Sequence, residues 1–318
     1  MTGPGLPSLS DIVKAQNRIA NVAVRTPLVE SPALSRILNR QVYLKLECFQ
    51  PIRVFKIRGA YNKISQVPES SVVAVSSGNH GHAVAYCARL LGKTATIVLP
   101  ETAVREKVNS IVEFGGEAIK YGKYHRDREA KASEIVKATG GAFIHPFNDP
   151  AIIAGTGTCG LEITEQLENF DSVVVPVGGG GLISGIAMAV KMKRPTSKVF
   201  GVEPAGAAKM DAALKAGHPV DMESPKSIAD GLIPSTVGSL TLEAVKTYVD
   251  GMFQVSDDEI LSAMRLLIRE AHIFPEPSGA ASTAVLLANR NLEKLGERVV
   301  VVVSGGNVSL DLVSKVLA

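Results

Sequence analysis

Short apolar runs rich in β-branched residues alternate along this chain with longer stretches whose apolar positions recur at helical spacing. The runs Val72–Val75, Thr96–Leu99, Ala118–Tyr121, Ala142–Ile144, Ser172–Val177, Val199–Val202 and Val299–Val303 predict strands, the last being valine throughout. They are apolar on both faces, as parallel strands covered by helices must be. Between them His82–Leu91, Arg105–Phe114, Asp127–Lys137, Leu182–Lys191 and Lys209–Ala216 predict helices. Ser256 followed by Glu259 predicts a capping box that opens a helix running to about Glu270. Strands alternating with helices imply an α/β fold on parallel sheets. The segment from about 71 to 145 carries strand–helix units of its own, and the strands beyond 170 make a second set. No Pro/Gly/Ser-rich linker divides them, which favours a small domain inserted into a large one, with the ligand in the cleft between.

Composition narrows the function classes. The 318 residues are 46% hydrophobic and 20% charged, ample for a core and too apolar for disorder. A net charge of +3, with no basic block, gives no nucleic-acid footprint. The six His and the three Cys (Cys48, Cys87, Cys159) show neither metal-ligand spacing nor a disulfide framework, which suits a reducing compartment. The opening MTGPGLPSLS lacks a basic n-region and an apolar h-region, so the expected location is cytoplasmic. Val173–Val190 is uncharged and just reaches the length of a membrane span, but Pro176 and Gly178–Gly181 would break such a helix. A strand, a turn and a helix are predicted there, and no membrane partner.

The clearest chemical signal is the run Gly178-Gly179-Gly180-Gly181 between a predicted strand and a predicted helix. Successive glycines let backbone N–H groups approach an anion, and the helix N-terminus adds a favourable dipole. A tight turn would need only two. The spacing is neither G-x-G-x-x-G nor G-x-x-x-x-G-K-[ST], so a small phosphorylated cofactor fits better than a dinucleotide or a nucleoside triphosphate. A second turn, Ser76-Ser77-Gly78-Asn79-His80-Gly81-His82, offers hydroxyls, an amide and backbone donors at a helix start, a set that suits a carboxylate. A capped helix alone would need one of these polar residues. A third, Ser304-Gly305-Gly306-Asn307, closes the valine strand, where a parallel sheet places its ligand crevice. Lys56, between Phe55 and Ile57 and ahead of Gly59, has the apolar flanks expected of an amine that forms a Schiff base in a desolvated pocket. A lone lysine is otherwise a surface charge.

The motifs Phe55-Lys56-Ile57-Arg58-Gly59-Ala60, Ser76-Ser77-Gly78-Asn79-His80, Gly178–Gly181, Glu276-Pro277 and Ser304-Gly305-Gly306-Asn307 occur in this order. As a set they resemble pyridoxal-phosphate enzymes of the tryptophan-synthase-β type (fold type II), in particular catabolic threonine/serine dehydratases and serine racemases. The resemblance runs from about Leu9 to Leu310. It implies pyridoxal 5'-phosphate in the cleft. Residues 1–65 and 148–318 are expected to form the large cofactor-binding domain, and residues 66–147 the small substrate-side domain. By resemblance, Lys56 would carry the cofactor as a Schiff base and act as base on one face. Ser77 would be the acid/base residue of the other face. Phe55, Asn79, Gly178, Gly179, Gly180, Gly181, Leu182, Glu276 and Ser304 would bind the cofactor, with Asn79 at its 3′-oxygen and Ser304 at the pyridine nitrogen. Ser76, Ser77, Asn79 and His80 would bind the substrate carboxylate. The implied reaction is dehydration of threonine- or serine-type β-hydroxy amino acids to a 2-oxo acid and ammonia. The alternative is a serine or aspartate-type racemase, and a homodimer is the implied assembly. Threonine, serine, phenylserine and hydroxyaspartate remain unranked, although Arg126 and Arg128 fall where racemases place a dicarboxylate-reading Arg. Two other classes fare worse. A periplasmic-type binding protein would need a leader, and a nicotinamide dehydrogenase would need the dinucleotide spacing.

Three departures stand out. Val54, preceded by Arg53, replaces a Ser common two residues before the lysine. His82 stands where Gln is common. Many relatives bind a divalent cation through a Glu, a carbonyl four residues on and an Asp six on. Glu203 and Ala207 match the first two, but Lys209 replaces the Asp. No metal is expected, Lys209 supplying the positive charge itself. The alternative is that Lys209 points to solvent and Asp211 moves in as a ligand.

Overall fold

The valines of the last predicted strand form the middle of a six-stranded sheet. The computed structural model describes residues 5–76, 78–103, 105–288 and 292–318, and leaves out the side chains of Glu106 and His125. In chain order the strands are β1 Leu28–Glu30, β2 Gln41–Leu46, β3 Ser71–Val75, β4 Thr94–Leu99, β5 Glu117–Lys120, β6 Ala142–Phe143, β7 Ser172–Pro176, β8 Lys198–Pro204, β9 Gly251–Val255 and β10 Arg298–Val303. The large sheet runs β1-β2-β10-β7-β8-β9 and the small one β5-β4-β3-β6. Every pair is parallel except β1 with β2. Val299 lies opposite Val42 on one side and Ser172 on the other. Val299, Val301 and Val303 pack with Met264, Ala280 and Ala284 on one face, while Val300 and Val302 pack with Ile183 and Ile186 on the other. A strand covered on both faces has no use for alternation, which is why the run reads as continuous valine.

The small sheet is inserted between β2 and β7, so the chain leaves the large sheet and returns to it. The two-sheet α/β plan expected from the sequence is the plan observed, with an antiparallel edge strand added by β1. The uncharged stretch at 173–190 divides into β7, a glycine turn and helix Gly181–Lys193. Among the described residues no helix is long and apolar enough to cross a membrane. The predicted capping box also forms. The Glu259 N–H donates to Ser256 Oγ at 3.2 Å, and the Ser256 N–H donates to Glu259 Oε2 at 2.7 Å.

Four ionic side chains lie inside the protein where helix Lys56–Ile64, helix Pro150–Gln166 and the end of β2 meet. Lys45, Glu47, Arg58 and Glu162 are all buried. Arg58 donates Nε and Nη2 to the two oxygens of Glu47 at 2.7 and 2.8 Å. It donates Nη1 and Nη2 to the two oxygens of Glu162 at 2.7 and 2.8 Å. Lys45 Nζ donates to Glu162 Oε2, the Thr26 carbonyl and Gln166 Oε1. The charges cancel and the donors are matched, which is the condition under which ions tolerate burial. Burial pushes the Glu47 carboxyl up, but the Arg58 guanidinium and Lys45 outweigh it and hold the group at about 2.

Replacing Arg58 with Ala would strand two buried carboxylates. Urea unfolding should show a loss of about 3–5 kcal/mol. Arg25→Ala, in the exposed pair with Glu165, should cost less than about 1 kcal/mol. Because Glu47 is held below its ordinary value of 4.5, its contribution is complete above that pH and disappears as pH falls through about 2.

Candidate active site

The segment carrying Lys56 is stitched to the turn that follows β10. Val54 forms an antiparallel bridge with Gly305. The Phe55 N–H donates to the Ser304 carbonyl at 3.1 Å, and the Gly306 N–H donates to the Arg53 carbonyl at 2.8 Å. Arg53 adopts φ +59°, an uncommon value for a residue with a side chain. Lys56 then opens helix Lys56–Ile64. Its Nζ donates to the Pro146 carbonyl at 2.8 Å and lies 5.2 Å from the centre of the Phe55 ring. Burial lowers this amine from 10.5 to about 8. Among the described residues no carboxylate pairs with it.

Asn79 and Glu276 are brought together across the two sheets. Glu276 Oε1 accepts from Asn79 Nδ2 at 2.8 Å, and Asn79 Oδ1 accepts from Asn307 Nδ2 at 2.8 Å. Asn307 also donates to the Ile52 carbonyl. Burial raises the Glu276 carboxyl to about 8, and the Asn79 hydrogen bond only partly opposes it. Ser304 is buried at the end of β10, beside this network.

The glycine turn has the features of an anion cradle. Helix Gly181–Lys193 begins at Gly180, φ +96°, with no side-chain cap. Among the described residues, no protein group accepts from the N–H of Gly178, Gly179, Gly180, Gly181, Leu182 or Ile183. Their carbonyls are tied elsewhere: Gly179 accepts from Thr241 Oγ1 at 2.7 Å and Gly181 from Thr156 Oγ1 at 2.8 Å. A buried helix end is normally satisfied by a cap, so an uncapped one calls for a ligand. A Cβ on Gly179 would lie 2.2 Å from the Phe147 ring, so the backbone approaches that ring as only glycine can. Leu182 has its side chain in the core, leaving its N–H as the group on offer.

Helix Asn79–Leu90 presents a second N-terminus without a side-chain cap, at Gly78. The Gly78 N–H donates to Ser76 Oγ at 3.2 Å. Burial lowers His80 to about 3 and His82 to about 4, so both rings are neutral at pH 7. Neutral His80 pairs Nε2 with the Ile144 carbonyl at 2.9 Å, so its imidazole is engaged inside the small sheet unit. His82 pairs with Ser110 at 2.7 Å. Ser77 lies outside the described residues. Arg128 donates to the Lys123 carbonyl and Arg126 stands over the Tyr124 ring.

Sequence reasoning missed Pro146, Phe147, Thr241 and the Asn79–Asn307 bond. The first two sit on the strand return after β6, and no local pattern distinguishes them.

A family model described as pyridoxal-phosphate dependent enzyme matches residues 19–305. The chain is 41% identical to the L-threonine ammonia-lyase of Thermotoga maritima over 98% of this chain and 78% of that protein. It is 36% identical to the serine racemase of Schizosaccharomyces pombe over 96% of each. A solved threonine deaminase, from T.th., superposes with a TM-score of 0.92 at 38% identity, covering 96% of this chain and 99% of that one. The chain belongs to the pyridoxal-phosphate dependent enzymes of fold type II. Within them it falls in the group of ammonia-lyases and racemases, and its cofactor is pyridoxal phosphate. The residues present fit that group: the N–H set at 178–183 lacks protein acceptors and would suit a phosphate, and the lowered amine of Lys56 would suit an aldehyde.

The neutral amine is the nucleophile in cofactor capture. Lys56 should therefore load pyridoxal phosphate onto the cofactor-stripped protein at a rate that rises with pH and levels off with a midpoint at about 8. Stopped-flow absorbance after mixing with the cofactor reads this directly. A rate still climbing toward 10.5 would show an amine in contact with water.

Proposed function

We propose that this protein is an ammonia-lyase that converts threonine- or serine-type β-hydroxy amino acids to a 2-oxo acid and ammonia. The observation that carries the reading is an amine of lowered pKa, Lys56, bonded to the Pro146 carbonyl, whose neighbour Phe147 packs against the buried, uncapped helix start at Gly179. The similarity to the Thermotoga ammonia-lyase supports the reaction type. Residues 1–65 and 148–318 are assigned to the large domain and 66–147 to the small one, with the site between them and a homodimer as the assembly.

Pyridoxal phosphate, when bound, supplies an electron sink for the charge left at Cα. The chain's own groups do the rest. The N–H groups of Gly178–Ile183 bind the phosphate. Ser76, Ser77 and the backbone donors at Asn79 and His80 hold the substrate carboxylate. Lys56 Nζ takes the Cα proton. Loss of the β-hydroxyl as water and hydrolysis of the resulting enamine complete the reaction. Glu276, kept protonated by burial, fixes the Asn79 amide without adding a negative charge. Ser304, Phe55 and Leu182 complete the cofactor's surroundings.

A racemase is the second reading, favoured by Ser77 in the sequence and by the Schizosaccharomyces relative. It needs a second acid/base group on the opposite face, which Ser77 would supply.

Lys56→Ala should lower 2-oxo acid formation by at least about 10³-fold, because nucleophile and base are lost together. Near-normal turnover would overturn the assignment. Ser77→Ala separates the two readings. An ammonia-lyase should keep part of its elimination from the L-substrate while losing racemisation far more, as read by chiral chromatography beside a keto-acid assay. Equal loss of both would give Ser77 a carboxylate-binding role alone.

A further inference from the structure

Lys209 opens helix Lys209–Ala216 and its side chain has no exposure. Its Nζ lies 3.1 Å from Glu203 Oε1, 2.9 Å from the Ala207 carbonyl, 2.9 Å from the Leu232 carbonyl and 3.4 Å from the Val177 carbonyl. The Ala207 and Leu232 carbonyls are acceptors only, and so is Glu203 Oε1 when ionised; an ammonium has one N–H for each of the three and a charge to match the carboxylate. Glu203 accepts in addition from the N–H groups of Met210 at 2.9 Å and Asp211 at 3.0 Å, the first turn of the same helix. Three donors on one carboxylate favour its ionised form. Burial works against both charges, raising Glu203 and lowering Lys209, and each charge opposes that shift in the other. The solvent-facing alternative for Lys209 is overturned by its burial. Asp211 points away and pairs with Lys215 at 2.7 Å.

The four oxygens come from four separate places: the end of β7, the end of β8, the turn after β8 and the segment Asp230–Leu232. Val177 directly precedes the glycine turn. The Gly231 carbonyl approaches Gly178 so closely that a Cβ there would lie 2.8 Å from it. The Gly231 N–H donates to Ser278 Oγ at 3.0 Å. The ammonium thus stands behind the cradle and joins the segments that shape it. A carboxylate with backbone carbonyls is the oxygen set that hard cations take. A divalent ion does not fit here, because the centre is occupied by a positive charge with no lone pair.

We propose that Lys209 is a tethered cation, filling an oxygen cage behind the Gly178–Ile183 turn and holding that turn in shape independently of any external ion. Truncation should therefore unmask an ion site. In Lys209→Ala the cage would carry one net negative charge and room for an ion of ammonium or potassium size. Lys209→Met would fill the space without a charge.

The test uses the purified holoenzyme, with thermal midpoint and cofactor dissociation constant as readouts, so that it stands whatever the substrate proves to be. The wild type should be indifferent to EDTA, Mg2+ and K+, and should carry no stoichiometric metal by elemental analysis after dialysis. Lys209→Ala should bind cofactor about tenfold more weakly, with saturable recovery in ammonium or potassium and none in tetramethylammonium. Lys209→Met should be weakened without recovery in any of the three. A wild-type midpoint that falls on chelation and returns with Mg2+ would overturn the proposal, as would stoichiometric metal in the dialysed protein. So would a Lys209→Ala variant that matches the wild type or ignores all three cations. Should that variant fail to fold, the wild-type chelation and metal measurements decide by themselves.

Discussion

Arg58 is held by two buried carboxylates at once, and the placement of the Lys56 amine depends on that clamp. Glu47 belongs to the turn after β2, Glu162 to helix Pro150–Gln166, and Arg58 to the helix that Lys56 begins. One planar side chain therefore fixes three elements relative to each other. A hydrophobic replacement of the whole cluster could be equally stable, since burying ions is expensive. The bidentate geometry adds direction, because a guanidinium fork meets two carboxylates in few orientations. Two residues before it in the chain, the lysine inherits that orientation.

Four titratable groups of the site share one tendency. Lys56 is lowered to about 8, Glu276 raised to about 8, His80 lowered to about 3 and His82 to about 4, with burial the leading cause in each case. Every one of these groups is pushed toward its neutral form. On the proposed reading the phosphate is left to backbone N–H groups and a helix dipole, and the substrate carboxylate to such groups with serine hydroxyls, none of them a counter-ion that could compete for protons. The proposed proton carrier, the amine of Lys56, is likewise held by no carboxylate among the described residues.

How much of this was legible in the sequence depends on how local the cause is. The strands buried on both faces announced themselves, because continuous valine needs no neighbour to be read. β2 did not: its QVYLKL carries Lys45, whose burial makes sense only once Glu162 is beside it. The edge strand β9, GMFQV, is partly exposed and short. Helix Pro277–Leu287 is buried on every side, so it has no amphipathic periodicity to detect. The glycines and Lys56 could be singled out because residue type alone limits what they do. Pro146, Thr241 and the carbonyl of Leu232 act through backbone or through partners far away in the chain, and nothing in their immediate sequence marks them. Lys209 lies between these cases, since its spacing from Glu203 raised the question and only its burial answered it.

The position of β10 also dictates an order of assembly. It separates β2 from β7 in the large sheet, yet among the described strands it comes last in the chain. The small sheet is contiguous in the chain, from Ser71 to Phe143, and can pair its strands while the rest is still being made. The large sheet cannot close until residues 298–303 have left the ribosome, so β2 keeps one unpaired edge until then. Such contacts between distant parts of a chain are slow to form. The enzyme's amine therefore reaches its final surroundings only when the C-terminal valines slot into the gap left for them.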